Sequence, residues 1–141
     1  MIILSVDYGD SRTGIAVCDA LEMLASPVCV IEEGYAPKLI KRIADICKDK
    51  RAELIVVGYP INMDSSEGER AKKCKELASL ISEEISIKTV LWDERLTTVS
   101  AHMALNMTNT RGKKRKAVVD AVAATMILQD YLDYRRNANE E

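Results

Sequence analysis

Three acidic positions in this 141-residue chain have the chemistry of a hard-cation site: Asp7, the adjacent pair Asp93 and Glu94, and Asp120. Carboxylate oxygens suit Mg2+ and Mn2+. Two such ions about 4 Å apart clamp the attacking water and the leaving oxygen of a phosphodiester. The rest of the composition narrows the chemistry further. His102 is the only histidine, so metal sites built on several imidazoles are excluded and a Ser-His-Asp triad would have to use that one residue. Cys18, Cys29, Cys47 and Cys74 are widely spaced and form no Cys-x-x-Cys pair, which argues against zinc or a disulfide framework and in favour of buried thiols.

The acids fall on elements that the apolar pattern defines. Ile2 to Val17 reads as two antiparallel strands joined by a short loop rich in Gly, Asp and Ser, with Asp7 closing the first strand. A carboxylate between Val6 and Tyr8 at the mouth of a buried strand is costly to desolvate unless a cation meets it. Met23 to Ile31 is a third strand, and Pro27, which has no N–H to donate, predicts a sheet edge there. Pro37 opens a helix striped by Leu39, Ile40, Ile43, Ala44, Ile46 and Cys47. Glu53 to Gly58 has the continuous apolar run of a parallel strand covered on both faces. The loop from Tyr59 to Gly68 follows at its carboxyl end, where α/β sheets place their sites.

A second helix, from about Glu69 to Glu83, carries Ala71, Cys74, Leu77, Ala78 and Ile81 as its stripe, and Ile87 to Trp92 is a fifth strand closed by Asp93, Glu94 and Arg95. Thr97 or Thr98 caps a short helix to about Asn106, Met107 to Gly112 reads as a loop, and a long helix runs from about Lys114 to Arg136. Along it Asp120, Ala124, Ile127 and Tyr131 recur at spacings of four, three and four, which sets Asp120 on the apolar stripe. The order βββαβαβα, plus the short helix, predicts an α/β fold: a mixed five-stranded sheet with helices on both faces. Right-handed crossovers lay the fourth strand beside the first and the fifth beyond it, so the carboxyl ends bearing Asp7 and the Asp93–Glu94 pair share one edge. Residues 1–136 are read as one domain and 137–141 as a short acidic tail.

Each acid also has a plainer structural role. Asp7 can cap the turn from Gly9 to Thr13, Asp93 and Glu94 suit a helix start, and Asp120 can pair with Lys116 one turn earlier. The net charge of −2 leaves no global footprint for a nucleic-acid partner, yet Arg111, Lys113, Lys114, Arg115 and Lys116 concentrate positive charge able to meet phosphate. Basic charge near a helix start opposes the dipole, so the cluster needs another reason. Tyr59, Asn62 and Asp64 occupy the loop that opens on the acidic edge and are candidate substrate contacts. No apolar run is long enough to cross a bilayer and no basic leader precedes the first strand, so the expected location is the cytoplasm, without a membrane partner.

Several motifs, in order, carry a resemblance. Val6-Asp7-Tyr8-Gly9 with Arg12, Gly14-Ile15-Ala16-Val17 and Asp19 are followed by Val57-Gly58-Tyr59-Pro60 with Asn62-Met63-Asp64. Then come Asp93-Glu94-Arg95-Leu96-Thr97-Thr98, Lys114-Arg115-Lys116, Val119-Asp120-Ala121-Val122-Ala123-Ala124 and Ile127 to Leu132. Together they resemble the YqgF/RuvX family, a branch of the ribonuclease H-like fold related to the RuvC Holliday-junction resolvases. Members are described as nucleases maturing the 5′ end of pre-16S ribosomal RNA, and some are assigned junction resolution. The resemblance implies Asp7, Glu94 in preference to Asp93, and Asp120 as ligands of Mg2+ or Mn2+, in a two-metal site. It also implies Arg12, Arg95 and the 111–116 cluster as phosphate contacts. The chain departs from the pattern at Ser65, where the family usually has glycine, and at Gly58-Tyr59, where RuvC relatives carry an acid.

The expected activity is metal-dependent hydrolysis of phosphodiesters in structured nucleic acid, with pre-16S rRNA, alone or in ribosomal precursor particles, as the leading substrate. The alternatives are a Holliday junction resolvase acting on branched DNA, a nucleotide-binding module, and a non-catalytic RNA-binding module associated with the ribosome or transcription. The expected assembly is a monomer or weak homodimer.

Overall fold

The computed structural model describes residues 1–60, 66–93 and 112–140, the stretches 112–121 and 139–140 by their helical backbone only. The short helix expected over 97–106 and the loop from 107, together with Asn62, Asp64, Glu94, Arg95 and Arg111, lie outside the described residues.

In chain order the elements are β1 (Ile3–Asp7), β2 (Thr13–Cys18), β3 (Ala25–Ile31), α1 (Ala36–Lys50), β4 (Leu54–Tyr59), α2 (Glu69–Ile85), β5 (Lys88–Asp93) and α3 (Gly112–Glu140). The five strands form one sheet in the order β3-β2-β1-β4-β5. The meander pairs β1 with β2 and β2 with β3 antiparallel, while the crossovers through α1 and α2 lay β4 and β5 parallel to β1. This is the mixed sheet that the order of strands and helices predicts.

Strand alternation divides the core into two layers. Leu4, Val6, Ile15, Ile55 and Val57 pack beneath α1 and α2, against Leu39, Ile43, Leu77 and Ile81. Ile3, Ala16, Leu54 and Val56 face the other way, onto Ala124, Ile127, Leu128 and Leu132 of α3. Continuous apolar strands are therefore needed at the centre of the sheet, because both faces are covered.

Pro27 does lie on an edge strand, as its missing donor requires. The ladder slips there: Ile15 pairs with Cys29 but Ala16 pairs with Pro27, so Val28 bulges out. The strand begins at Ala25 rather than Met23. Gln129 Oε1 accepts the Ala25 N–H at 3.0 Å, and Gln129 Nε2 donates to the Met23 carbonyl at 3.2 Å. The long helix runs from Gly112 to Glu140, past the expected end at Arg136, because no glycine or proline interrupts the sequence after Gly112. Residues 137–140, read from sequence as a tail, continue that helix.

Candidate active site

Asp7 is the last residue of β1 and is half-buried. It shares a face with Ile3 and Ser5, which look onto α3. The direction of α3 follows from its contacts. Gln129 and Arg135 bind the β2–β3 turn at Ala25, Met23 and Glu22, beside the start of β1, so the beginning of the helix extends toward the carboxyl end of that strand. Between these limits the Ser5 hydroxyl donates to the Ala124 carbonyl at 2.7 Å.

That contact sets a level. Asp7 lies two residues beyond Ser5, about 6.6 Å along the strand. Asp120 lies four residues before Ala124, about 6 Å along the helix in the same direction. The stretch of α3 that carries Asp120 thus runs from Ser5 toward the carboxyl edge of the sheet, over the face that Asp7 shares.

The register shows a feature that the motif reading overlooked. Asp7 pairs with Gly14 on β2, and the Val6–Val57 pairing brings Gly58 next to it on β4. Neither neighbour projects a side chain beside the carboxylate. One strand further, Gly58 pairs with Trp92, which shares the Asp7 face and packs on Tyr131 and Tyr134 with ring centroids 5.6 and 5.5 Å away. Its indole Nε1–H is buried with no hydrogen-bond partner among the described residues. Two glycines spaced to flank a strand-end acid were visible in the sequence; only the pairing reveals that they flank it.

Asp93 and Tyr59 are brought together, but on the other face. They are paired ends of β5 and β4, and each alternates with a residue on the α3 side, Trp92 and Gly58. The Tyr59 hydroxyl donates to the Glu67 carboxylate, which pushes the phenol up to about 12. Tyr59 is thereby engaged at the start of α2, away from Asp7.

The β1–β2 turn is held tightly. A Cβ on Gly9 would lie 2.3 Å from the Arg12 carbonyl oxygen, so only glycine fits. Arg70 donates to the Tyr8 carbonyl at 2.7 Å from α2, and the Lys73 ammonium stands 3.7 Å from Asp10. Arg12 extends the Thr13–Ile31 pairing by one step, with Nε 3.7 Å from the Glu32 carboxylate, which places it on the face of Gly14 and Asp7. Its Nη1 is buried without a hydrogen-bond partner among the described residues. A guanidinium with an uncommitted donor beside an acidic strand end is suited to a phosphate oxygen.

Among the described residues no three His, Cys, Asp or Glu side chains are grouped closely enough to hold a metal ion. Lys113 to Lys116 and Asp120 are placed by the α3 backbone alone. None of the four cysteines is in a disulfide; Cys18, Cys47 and Cys74 are buried and Cys29 partly so. Burial pushes the Cys47 thiol up to about 11, which leaves it unreactive. No helix among the described residues is long and apolar enough to cross a membrane.

The mixed sheet, two helices on one face, one long helix on the other and an aspartate ending the central strand define a ribonuclease H-like nuclease fold. The chain belongs to the RuvX family, whose description is Holliday junction resolvase and whose model matches residues 1–134. A relative from Agathobacter rectalis named "Putative pre-16S rRNA nuclease" is 40% identical over 141 residues, covering 98% of this chain and 99% of that protein. One of the same name from Clostridium novyi is 41% identical over 133 residues, covering 94% and 98%. Among solved structures, Thermus thermophilus RuvC superposes with a TM-score of 0.59 at 12% identity over 97% of each chain. The Fowlpox virus resolvase bound to Holliday junction DNA superposes with a TM-score of 0.56 at 10% identity, over 96% of this chain and 99% of that one.

Proposed function

We propose that this chain hydrolyses phosphodiester bonds in structured nucleic acid with a divalent cation, and that its substrate is the 5′ region of pre-16S rRNA. The observation that carries this reading is the Ser5–Ala124 hydrogen bond, which seats α3, one turn after Asp120, on the face of the sheet that Asp7 shares. Asp7, Asp120 and Glu94 would hold Mg2+ or Mn2+; an all-oxygen donor set fits these hard cations. The bound ions supply an activated water and charge stabilisation at the leaving oxygen. Strand alternation favours Glu94 over Asp93. Asp93 shares the α1–α2 face with Leu91, away from Asp7.

In this reading Gly14 and Gly58 leave room beside Asp7 for cation and phosphate, and Arg12 meets a phosphate oxygen through its uncommitted donor. Arg95, Arg111, Lys113, Lys114, Arg115 and Lys116 bind the backbone flanking the cleaved bond, with Asn62 and Asp64 contributing from the β4–α2 loop. The substrate follows the name shared by relatives near 40% identity across almost the whole chain.

Asp7→Asn keeps the size of the side chain and removes its charge. It is expected to abolish Mn2+-dependent cleavage of a pre-16S fragment without changing the thermal midpoint of metal-free protein. Retained cleavage would overturn the assignment. The family description favours a second reading, resolution of a four-way DNA junction. Side-by-side cleavage of that junction and the pre-16S fragment, with and without Mn2+, decides between them.

A further inference from the structure

We infer that Ser5 is a positioning residue that sets the register of the α3 backbone, and with it the position of Asp120, against the end of β1 that carries Asp7; this rests on the reading of those two acids as a shared cation site. Ser5 and Thr13 are the only fully buried polar side chains among the described residues. Ser5 pairs with Ala16 on β2 and Val56 on β4, both members of the apolar layer under α3, where alanine would pack as well. A hydroxyl there must be desolvated, and the only return is the directed bond it makes at 2.7 Å. The Ala124 carbonyl has a lone pair left after its bond within the helix, so the serine adds a contact without displacing one.

What the bond contributes is register. The contacts of Ala124, Ile127, Leu128 and Leu132 with the sheet are non-directional and tolerate small axial shifts of the helix. A shift of one residue moves a helical position about 1.5 Å and turns it about 100°. Mg2+ demands oxygen ligands within a narrow range near 2.1 Å, so such a shift between Asp7 and Asp120 breaks a shared site. The other polar anchors of α3, Gln129 on Ala25 and Arg135 on Glu22, grip its second half. Ser5 instead holds the helix at Ala124, one turn from Asp120. It supports the acids as a partner outside the ligand set supports a metal-binding histidine.

The test is Mn2+ affinity, measured by titration calorimetry on the full chain for the parent, Ser5→Ala, Ser5→Thr, Asp7→Asn and Ile43→Val. Ile43 lies in the layer under α1, so its variant controls for lost stability away from α3. Ser5→Ala is expected to weaken Mn2+ binding by about tenfold, Ser5→Thr by less than about threefold, and Ile43→Val to lower the thermal midpoint without changing affinity. Parent-like affinity in Ser5→Ala overturns the inference. So does an equal loss in Ser5→Thr, which keeps the hydroxyl, or in Ile43→Val. Unchanged affinity in Asp7→Asn refutes the cation site itself and the inference with it. Weakened binding there, with parent-like binding in Ser5→Ala, refutes only the role of Ser5.

Discussion

Gly9 illustrates how a single residue carries the geometry of the acidic edge. Its missing Cβ lets the chain turn back from Asp7 to Gly14 within a few residues, because an added carbon would meet the Arg12 carbonyl at 2.3 Å. The clash is with backbone, which cannot swing aside as a side-chain tip does. Gly9→Ala should therefore destabilise the fold by about 2–3 kcal/mol in urea unfolding, and should disturb Arg12, whose carbonyl must move. A variant as stable as the parent would show that the turn relaxes freely. The residue types around Asp7 were legible from the sequence, Gly14, Gly58 and Arg12 among them. Their arrangement was not, because a glycine across a ladder from an acid leaves no mark on local periodicity.

At the scale of elements, α3 is the piece whose placement matters most, and it is held by polar contacts at both ends of its described packing. Ser5 holds the site end, while Glu22 and Arg135, 2.9 Å apart, hold the far end over the β2–β3 turn. Partial burial works against ionisation of Glu22, yet the Arg135 guanidinium and the Met1 ammonium hold its carboxyl below the ordinary range. A carboxylate with a lowered folded pKa contributes stability above its unfolded value, and loses it as pH falls through the folded one. Glu22→Gln should thus cost about 1 kcal/mol at pH 7 and converge on the parent at an acid pH where the carboxyl is protonated in both states. Urea melts at both values check this, and an equal difference at both would assign the effect to packing rather than charge. The helix itself was plain in the sequence from its length and absence of breakers. Its grip on the turn was not, since Glu22 and Arg135 are 113 residues apart.

Across the whole molecule, a chain of net charge −2 concentrates positive charge at the start of α3, the end proposed to meet nucleic acid. Lys113, Lys114, Arg115 and Lys116 fall within the first turns of α3, the same end of the helix that carries Asp120 toward Asp7. Positive side chains there oppose the helix dipole, a cost that phosphate contacts would offset. Affinity for a pre-16S fragment should accordingly fall steeply with salt, and the double variant Lys113→Ala/Lys114→Ala should reduce the slope of log K against log salt by about 1–2. Filter binding across a salt series measures it; an unchanged slope would remove these lysines from the interface.

Local patterning was enough to determine the order of strands and helices, the edge position of Pro27, the two apolar faces of the sheet and the strand-end location of Asp7. Each of these depends on residues close together in the chain, and period-two or 3.6-residue spacing records them. The tertiary structure alone decided which distant positions share a level. It put Asp93 and Tyr59 on the face away from Asp7, ranged Gly14 and Gly58 beside that acid, and seated α3 at Ala124 on Ser5. Those relations are registers between elements, fixed by ladder pairing and by one buried hydrogen bond across 119 residues, and no periodicity within a single element encodes them.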